Sequence, residues 1–380
     1  MKIRHLVENL EQYFIGLILE QRKGWFDRVM TVFLFICSRF YRMGSQFRLW
    51  MYDKRVIRNR AIGCLVVSIG NLSCGGTGKT PVVEVFAKTL HQKGRKVAVL
   101  SRGYRSKQRS LWFKLTHMFG KRKLEAPIKV VSDGKKLLLD STYAGDEPYM
   151  LATNLKGVPV LVDKDRVRLG LYAIEHFQTD TLILDDGFQY LDLMSHINIL
   201  LVDSTDPFCN HHVLPRGLLR EPIKNIRRAD YIFLTKSNGG NHLRHLKTFM
   251  RRHNRRAEII ECCHSGKRQN LEFMRGRKIA AISGIARPES FEAFLIEHGA
   301  EVVATSRFAD HHRFTENELI KFRDLAIETG AEIIMTTEKD AVRMPLINGE
   351  SPPFYFLRIE IDILSGQESF DQCISRICFL

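Results

Sequence analysis

A chain of 380 residues, of which 44% are hydrophobic, can bury a sizeable core, which excludes disorder as its default state and predicts about two domains or slightly more. Lys and Arg outnumber Asp and Glu by 58 to 42, and the net charge of +16 favours an anionic partner, whether nucleic acid, an acidic membrane or a phosphorylated substrate. The 8 cysteines show neither zinc-ligand spacing nor the density of a disulfide scaffold, which fits a reducing cytoplasm.

The first 60 residues are basic and rich in aromatic side chains, with 12 Lys or Arg against 5 Asp or Glu. Their longest apolar run, 29–37, is well short of the ~20 residues that a membrane-spanning helix needs. Glu8 and Glu11 interrupt the segment that would be apolar in a secretory signal. The pattern predicts basic amphipathic helices over 1–60 that lie in a membrane interface. Packing of these helices on the protein's own core is the alternative.

From residue 63, short apolar runs rich in Val, Ile and Leu alternate with helical patterns. This alternation is typical of βα units around a parallel sheet and predicts a core domain over 61–237. The predicted strands are Cys64–Ile69, Lys96–Leu100, Ile128–Val131, Pro159–Val162, Thr181–Leu184, Ile197–Val202 and Tyr231–Leu234.

The stretch SCGGTGKT follows the first of these strands and precedes a helical pattern. Its glycines let backbone amides converge on phosphate oxygens, while Lys79 reaches the β- and γ-phosphates and Thr80 offers a hydroxyl to Mg²⁺. Ser73 replaces the first glycine of the usual pattern, at a position that mainly permits a tight turn. Cys74 stands where some dimeric switch ATPases carry a lysine, which weakens that interpretation. The predicted nucleotide site comprises Ser73, Cys74, Gly75, Gly76, Thr77, Gly78, Lys79 and Thr80, and a Gly-rich turn without a ligand is the alternative.

Two pairs of carboxylates follow the loop along the chain. Asp146 and Glu147 precede a predicted helix, where acids are often only caps. Phosphoryl transfer to a hydroxyl group is assisted by a carboxylate that accepts the proton, and Asp146 is the best candidate. Asp185 and Asp186 end an apolar strand in the form of a Walker B element, which can hold Mg²⁺ at the carboxyl edge of a parallel sheet. A turn former is the alternative for this pair.

Three further segments are charged. The basic, aromatic insertion 105–127 is a solvated surface segment or, alternatively, a grip on an acidic lipid headgroup. The segment 216–222 carries cations suited either to clamping phosphate or to solvation. In the stretch 235–238, TKSN, asparagine replaces the aspartate with which GTPases read guanine, so guanine specificity is not supported.

A second, smaller α/β domain is predicted over 238–380. Asp310, His311 and His312 follow one of its strands, and because no third metal ligand is evident, a histidine that orients a carboxylate is favoured over a metal site. A capping box of Thr315 and Glu318 opens its second helix. The predicted strands lie near Lys278–Ile282, Glu301–Ala304, Glu332–Met335 and Phe354–Ile359, and the helices near Ser290–His298 and Glu316–Thr329.

Together these motifs resemble the tetraacyldisaccharide 4'-kinase family, the lipid A 4'-kinases. The serine in the loop is the ordinary form in that family. The matching stretches run in order across most of 65–345: IGNLSCGGTGKTP (69–81), LSRGY (100–104), AGDEP (144–148), ILDDGFQ (183–189), LLREP (218–222), DHH with the following Phe314 (310–314) and TTEKDAVR (336–343).

The resemblance implies a P-loop NTPase-like three-layer α/β/α sandwich with a second, smaller α/β domain and N-terminal membrane-interface helices. It implies ATP-dependent phosphorylation, with Mg²⁺, of the 4'-hydroxyl of an acylated glucosamine disaccharide 1-phosphate at the cytoplasmic face of the bacterial inner membrane. Asp146 would act as the base with the help of His311, and Lys79 would join them in catalysis. Candidate metal ligands are Thr80, Asp185, Asp186 and Glu147, and candidate substrate contacts are Arg102, Gln189 and Arg220.

No nucleic-acid or protein partner is expected from the sequence, because the positive charge is concentrated in aromatic-rich segments and no nucleic-acid motif is recognised. The alternative function is a membrane-associated P-loop NTPase switch that binds a protein partner. That alternative gives no role to Asp146 or to the histidine pair.

Overall fold

The computed structural model describes residues 13–18, 20–103, 127–240, 242–266, 272–345 and 351–379, so all but the last residue of the insertion 105–127 lies outside the described residues. In chain order the strands are β1 (Leu65–Asn71), β2 (Val97–Ser101), β3 (Lys129–Ser132), β4 (Val160–Val162), β5 (Thr181–Asp185), β6 (Ile197–Asp203), β7 (Tyr231–Thr235), β8 (Glu258–Gly266), β9 (Lys278–Ser283), β10 (Glu301–Arg307), β11 (Ile333–Thr337), β12 (Phe354–Leu357) and β13 (Ile359–Ser365).

The helices are α1 (Trp25–Asp53), α2 (Lys79–Gln92), α3 (Ser141–Ala144), α4 (Asp146–Asn154), α5 (Arg166–Phe177), α6 (His242–His253), α7 (Pro288–Glu297), α8 (Glu316–Glu328), α9 (Glu338–Ala341) and α10 (Gln367–Phe379), with a 3-10 helix at Ile223–Arg228. Every strand predicted from the sequence has a counterpart among these elements.

The chain divides into two compact units, each built from separate chain segments. The first unit comprises Met1–Val97, Arg166–Cys263 and Ile363–Leu380, and the second comprises Ala98–Asp165 and His264–Asp362. The domain bounds 61–237 and 238–380 stay predictions.

The centre of the first unit is a sheet with the strand order β13-β8-β7-β6-β1-β5, and the pairs from β8 to β5 are parallel. β1 pairs in parallel with β5 and β6, β6 with β7, and β7 with β8. All residues of β1 are buried, as expected for a parallel strand covered on both faces. The register sets Ile69 opposite Asp185. The carboxyl end of β5 therefore lies beside the end of β1.

An aromatic cluster ties the last helix to the first unit. Phe86 of α2 lies 5.6 Å from Phe233 of β7 and 5.3 Å from Phe370 of α10, measured between ring centroids. Phe233 and Phe370 are 6.3 Å apart in edge-to-face geometry, which aromatic pairs favour. The C-terminal segment is thus part of the core beneath α2.

The long helix α1 packs partly on the first unit and leaves much apolar surface exposed. Leu34 and Leu49 are buried, and the Tyr41 hydroxyl donates to the Arg220 carbonyl at 3.1 Å. The helix therefore packs on the protein in part, and the location of its exposed side in a membrane interface stays a prediction. The exposed aromatic residues include Trp25, Phe26, Phe33, Phe35, Phe40, Phe47 and Trp50. Among the described helices, none is long and apolar enough to cross a membrane.

The second unit contains two groups of strands. In one, β4 pairs in parallel with β2 and antiparallel with β3. In the other, the order is β10-β9-β11-β12 and the pairs are parallel. The capping box predicted for α8 is confirmed, since the Glu318 amide donates to Thr315 Oγ1 and the Thr315 amide donates to Glu318 Oε2 at 2.8 Å. The segments that follow β9, β10 and β11 leave the same edge of this sheet.

Candidate active site

The predicted phosphate loop connects β1 to α2 in the first unit. Gly78, the residue before α2, has φ +76°, and Gly75 has φ +123°, so the backbone requires glycine at both positions. Gly76 lies outside the left-handed region, and a Cβ built on it would meet no atom within 4 Å. Neither the backbone nor the packing requires the third glycine, whereas close approach of a phosphate would.

Ser73 fits its position without the freedom of a glycine. It is buried, it is not among the residues with positive φ, and it forms an antiparallel bridge with Leu219. The Cys74 amide donates to the Leu218 carbonyl and the Arg220 amide to the Leu72 carbonyl, both at 2.7 Å. The first part of the loop is thus held as a short strand against 218–220.

The second part of the loop is held by two side chains at the carboxyl end of β7. Thr235 Oγ1 donates to the Thr77 carbonyl at 2.8 Å, and Lys236 Nζ donates to the Gly76 carbonyl at 2.8 Å. Lys236 also pairs with Asp203 at 2.6 Å. Burial alone would raise the pKa of Asp203, but its bonds from Lys236 and Thr205 lower it. Sequence reasoning missed these anchors, although the TKSN stretch had marked their position.

Asp186, which directly follows β5, lies beside two positively charged side chains. Its carboxylate lies 2.7 Å from Arg220 Nη1 and 3.6 Å from Lys79 Nζ. Burial would raise the pKa of Asp186, but the charges of Lys79 and Arg220 lower it, so the carboxylate stays ionised. Gln189 lies beside this group, with its amide donating to the Asn71 carbonyl at 2.8 Å and its oxygen 3.4 Å from Arg220. Asp186, a predicted metal ligand, therefore lies beside Gln189 and Arg220, two predicted substrate contacts.

The remaining metal and substrate candidates occupy separate positions. Asp185 is 3% exposed and lies opposite Ile69 of β1, while Thr80 is half-buried in the first turn of α2. In the second unit, Glu147 lies 3.9 Å from Lys339 Nζ, and Arg102 is exposed directly after β2. Within the described residues, no three His, Cys, Asp or Glu side chains form a metal-binding group.

A hydroxyl of Thr80 and a carboxylate of Asp185 or Asp186 are the donors that fit Mg²⁺, which takes one or two protein oxygens and completes its shell with water and substrate phosphates. The absence of a three-ligand group among the described side chains is compatible with that mode of binding. The loop and β5 thus provide a suitable donor set.

Asp146 forms the centre of a polar cluster in the second unit. It is the first residue of α4, following Gly145 at φ +93°. Its Oδ2 lies 3.0 Å from His311 Nδ1 and 2.9 Å from Arg343 Nε. Burial would raise the pKa of Asp146, but the hydrogen bond with His311 and the charge of Arg343 lower it. The structure thus brings together Asp146 and His311, the two residues that the family resemblance pairs.

His311 is held in an uncommon backbone conformation, with φ +66°. Its amide donates to the Gly284 carbonyl at 3.1 Å, which fixes the turn after β10. Non-glycine residues in this region carry strain that often accompanies a functional role. His312 has a different environment, because its ring contacts Glu318 at 3.0 Å and stacks on Phe308.

Arg343 is the member of this cluster that sequence reasoning missed. The residue is part of the TTEKDAVR stretch, which gave the resemblance but assigned no role to its arginine. Only folding shows that Arg343, 197 positions beyond Asp146, reaches its carboxylate.

Comparisons with known proteins agree with this geometry. A crystal structure of LpxK from Aquifex aeolicus in complex with ATP superposes with a TM-score of 0.69 at 28% identity, covering 92% of this chain and 99% of that one. This likeness confirms the P-loop NTPase-like α/β fold.

Sequence relatives point to the same group. The "Tetraacyldisaccharide 4'-kinase" of Syntrophus aciditrophicus is 37% identical over 366 residues, which are 90% of this chain and 92% of the relative. That of Halothermothrix orenii is 32% identical over 399 residues, covering 98% and 100%. The family model described as LpxK, tetraacyldisaccharide-1-P 4'-kinase, matches residues 30–378. The chain therefore belongs to the tetraacyldisaccharide 4'-kinase family.

Proposed function

We propose that this protein transfers the γ-phosphoryl group of ATP to the 4'-hydroxyl of an acylated glucosamine disaccharide 1-phosphate. The observation that carries the proposal is the contact of Asp146 Oδ2 with His311 Nδ1 at 3.0 Å in a chain of this family. A nucleotide switch has no use for an ionised carboxylate held by a histidine and an arginine. A kinase needs such a group to accept the hydroxyl proton.

The nucleotide's phosphates are bound by the loop 73–80. Gly76 leaves room for a phosphate oxygen, and the backbone amides at the start of α2 face the negative charge. Lys79 exchanges its contact with Asp186 for the β- and γ-phosphates. Arg220 then continues to balance Asp186, to which it is bonded at 2.7 Å.

Thr80 and the carboxylates of Asp185 and Asp186 are the residues that would hold Mg²⁺. Bound there, the ion would neutralise charge on the phosphates. Glu147 is a weaker candidate, because its carboxylate lies 3.9 Å from Lys339 and 40% of its side chain is exposed.

In the proposed reaction the sugar hydroxyl loses its proton to Asp146 as its oxygen attacks the γ-phosphorus, and the bond to ADP breaks. His311 keeps the carboxylate oriented and ionised until the proton arrives. Arg102, Gln189 and Arg220 stay candidate substrate contacts.

The direct test combines purified protein, Mg²⁺, ATP labelled at the γ-phosphate and a detergent-dispersed disaccharide 1-phosphate. We expect label on the lipid at the 4'-position, dependent on both protein and lipid. Label released only as free phosphate would contradict the proposal and would favour the NTPase switch instead.

The exposed part of α1 is proposed to hold the enzyme at the cytoplasmic face of the inner membrane, where a lipid substrate and ATP meet. Trp25 is 79% exposed and Phe40 66% exposed, and the helix also carries exposed arginines. Aromatic and cationic side chains together favour an anionic membrane interface. Replacing Trp25 and Phe40 by Ser should weaken binding to anionic lipid vesicles and leave thermal stability unchanged. Undiminished vesicle binding would argue against α1.

A further inference from the structure

The two carboxylate oxygens of Asp146 have different surroundings. Oδ2 faces both His311 Nδ1 at 3.0 Å and Arg343 Nε at 2.9 Å. Oδ1 faces the half-exposed Arg313, whose Nη2 is 3.7 Å away, beyond hydrogen-bond distance. One oxygen is therefore fixed by the protein, and the other is the one that can accept a proton from a substrate.

Arg343 itself is rigidly placed. Its side chain is 0% exposed, and its Nη1 donates to Asp340 Oδ1 at 3.0 Å and to the Gly284 carbonyl at 3.2 Å. Asp340 is fixed in turn, because its Oδ2 accepts from the Gly284 amide at 3.0 Å and from Thr337 Oγ1 at 2.7 Å. A guanidinium held this way has a defined direction for its remaining Nε bond.

The same framework also holds the histidine. The Gly284 carbonyl accepts from the His311 amide at 3.1 Å as well as from Arg343, and Arg343 Nη2 lies 3.2 Å from His311 Nδ1. There is little room for change at this point, since a Cβ on Gly284 would meet Asp340 Oδ1 at 3.3 Å. Gly284, the residue after β9, therefore helps to position both His311 and Arg343, the two groups that contact Asp146 Oδ2.

We propose that Arg343, backed by Asp340, is a positioning residue that fixes Oδ2 of Asp146 so that Oδ1 takes the proton of the attacking hydroxyl. The inference rests on the proposed kinase function. The sugar O–H bond breaks and its proton passes to Oδ1, while the oxygen's electron pair forms the bond to the γ-phosphorus and ADP leaves. The neutral carboxyl of Asp146 returns the proton to solvent after the product departs.

A purely structural role is the competing explanation, because breaking a buried Arg–Asp pair destabilises a protein whatever lies beside it. Kinetics can separate the two. A positioning residue acts on the chemical step, so Arg343→Gln should lower kcat by about 100-fold, the effect of a small misplacement of a reacting group. The KM values for ATP and lipid should stay within about threefold of wild type.

The decisive comparison uses Asp146→Asn. In that background the carboxylate is gone, so adding Arg343→Gln should change the residual transfer rate by less than about threefold. If Arg343→Gln lowers the rate by the same factor with and without Asp146, the positioning role is refuted. A loss of kcat that merely follows the folded fraction, measured by thermal unfolding, would refute it as well.

Arg343→Lys covers the case in which the glutamine variant does not fold. Lysine keeps a cation beside Asp340 but cannot bond Asp340 and Asp146 as a fork, so kcat should fall by roughly tenfold. A folded lysine variant with wild-type kcat would overturn the proposal.

Arg307→Gln is the matched control: this exposed arginine of the same unit bonds Glu289 and Glu292, and its loss should leave kcat unchanged. Failure of the wild-type protein to label the lipid would instead refute the kinase function.

Discussion

Gly76→Ala tests whether the loop glycines serve a bound phosphate or only the fold. A Cβ at this position meets no atom within 4 Å, and φ lies outside the left-handed region. The methyl group should therefore change the free energy of unfolding by less than about 0.5 kcal/mol, as at an ordinary surface position.

The same methyl group should matter once ATP is bound. In the proposed complex the backbone amides of this loop bond phosphate oxygens, and losing one hydrogen bond to a charged group costs about 1.5–3 kcal/mol. The affinity for ATP should accordingly fall by roughly 10- to 150-fold. Titration calorimetry gives the dissociation constant, and thermal unfolding without nucleotide gives the stability.

Two other glycines provide controls. Gly75→Ala should lower stability by about 1–3 kcal/mol as well as weaken ATP, because φ +123° strains any residue with a Cβ. Gly44 of α1 also has open space around it, and Gly44→Ala should leave ATP affinity unchanged. Wild-type affinity in Gly76→Ala would refute the reasoning, since the glycine would then serve neither fold nor ligand.

Three more changes test the site and the core. Asp146→Asn should lower kcat by at least about 100-fold without affecting ATP binding, measured by lipid labelling and calorimetry, and unchanged turnover would remove it from the mechanism. Lys236→Met should weaken ATP binding by about tenfold, because it removes a charge-assisted bond to the Gly76 carbonyl at 2.8 Å; intact affinity would show that the loop needs no such anchor. Asp203, with a lowered pKa in the folded state, stabilises the fold above its unfolded pKa of about 3.9. This contribution is lost as pH falls through the folded pKa. The melting temperature of Asp203→Asn should therefore decrease less than that of the wild type as pH is lowered, and an equal decrease in both proteins would contradict this.

The loop 73–80 could be identified as a candidate phosphate loop because it depends on a short motif. The spacing of glycines before a lysine, at the start of a helix, is a local property of the chain. The partner of Asp146 came from the family resemblance, since 165 residues separate it from His311. Arg343 was not predicted because a single arginine in a motif does not reveal which carboxylate it will meet after folding.

The C-terminal helix shows a signal that was present but not used. Phe370, Cys373, Ile374 and Ile377 are the buried residues of α10, and their spacing is that of one helix face. The sequence patterns given above predict no helix in this segment, and they predict neither β8 nor β13. Strand order is a long-range property, so periodicity could not place these elements in the sheet.

The aromatic contact between Phe86 and Phe370 determines when the first unit can finish folding during synthesis. The helix that follows the phosphate loop packs against a ring that the ribosome adds 284 residues later, and the end of β13 (363–365) and α10 belong to the same unit as β1. Contacts so distant in sequence cannot form until synthesis is nearly complete. The unit that carries the proposed ATP site is therefore completed last, and a nascent chain should acquire nucleotide affinity only at the end of translation.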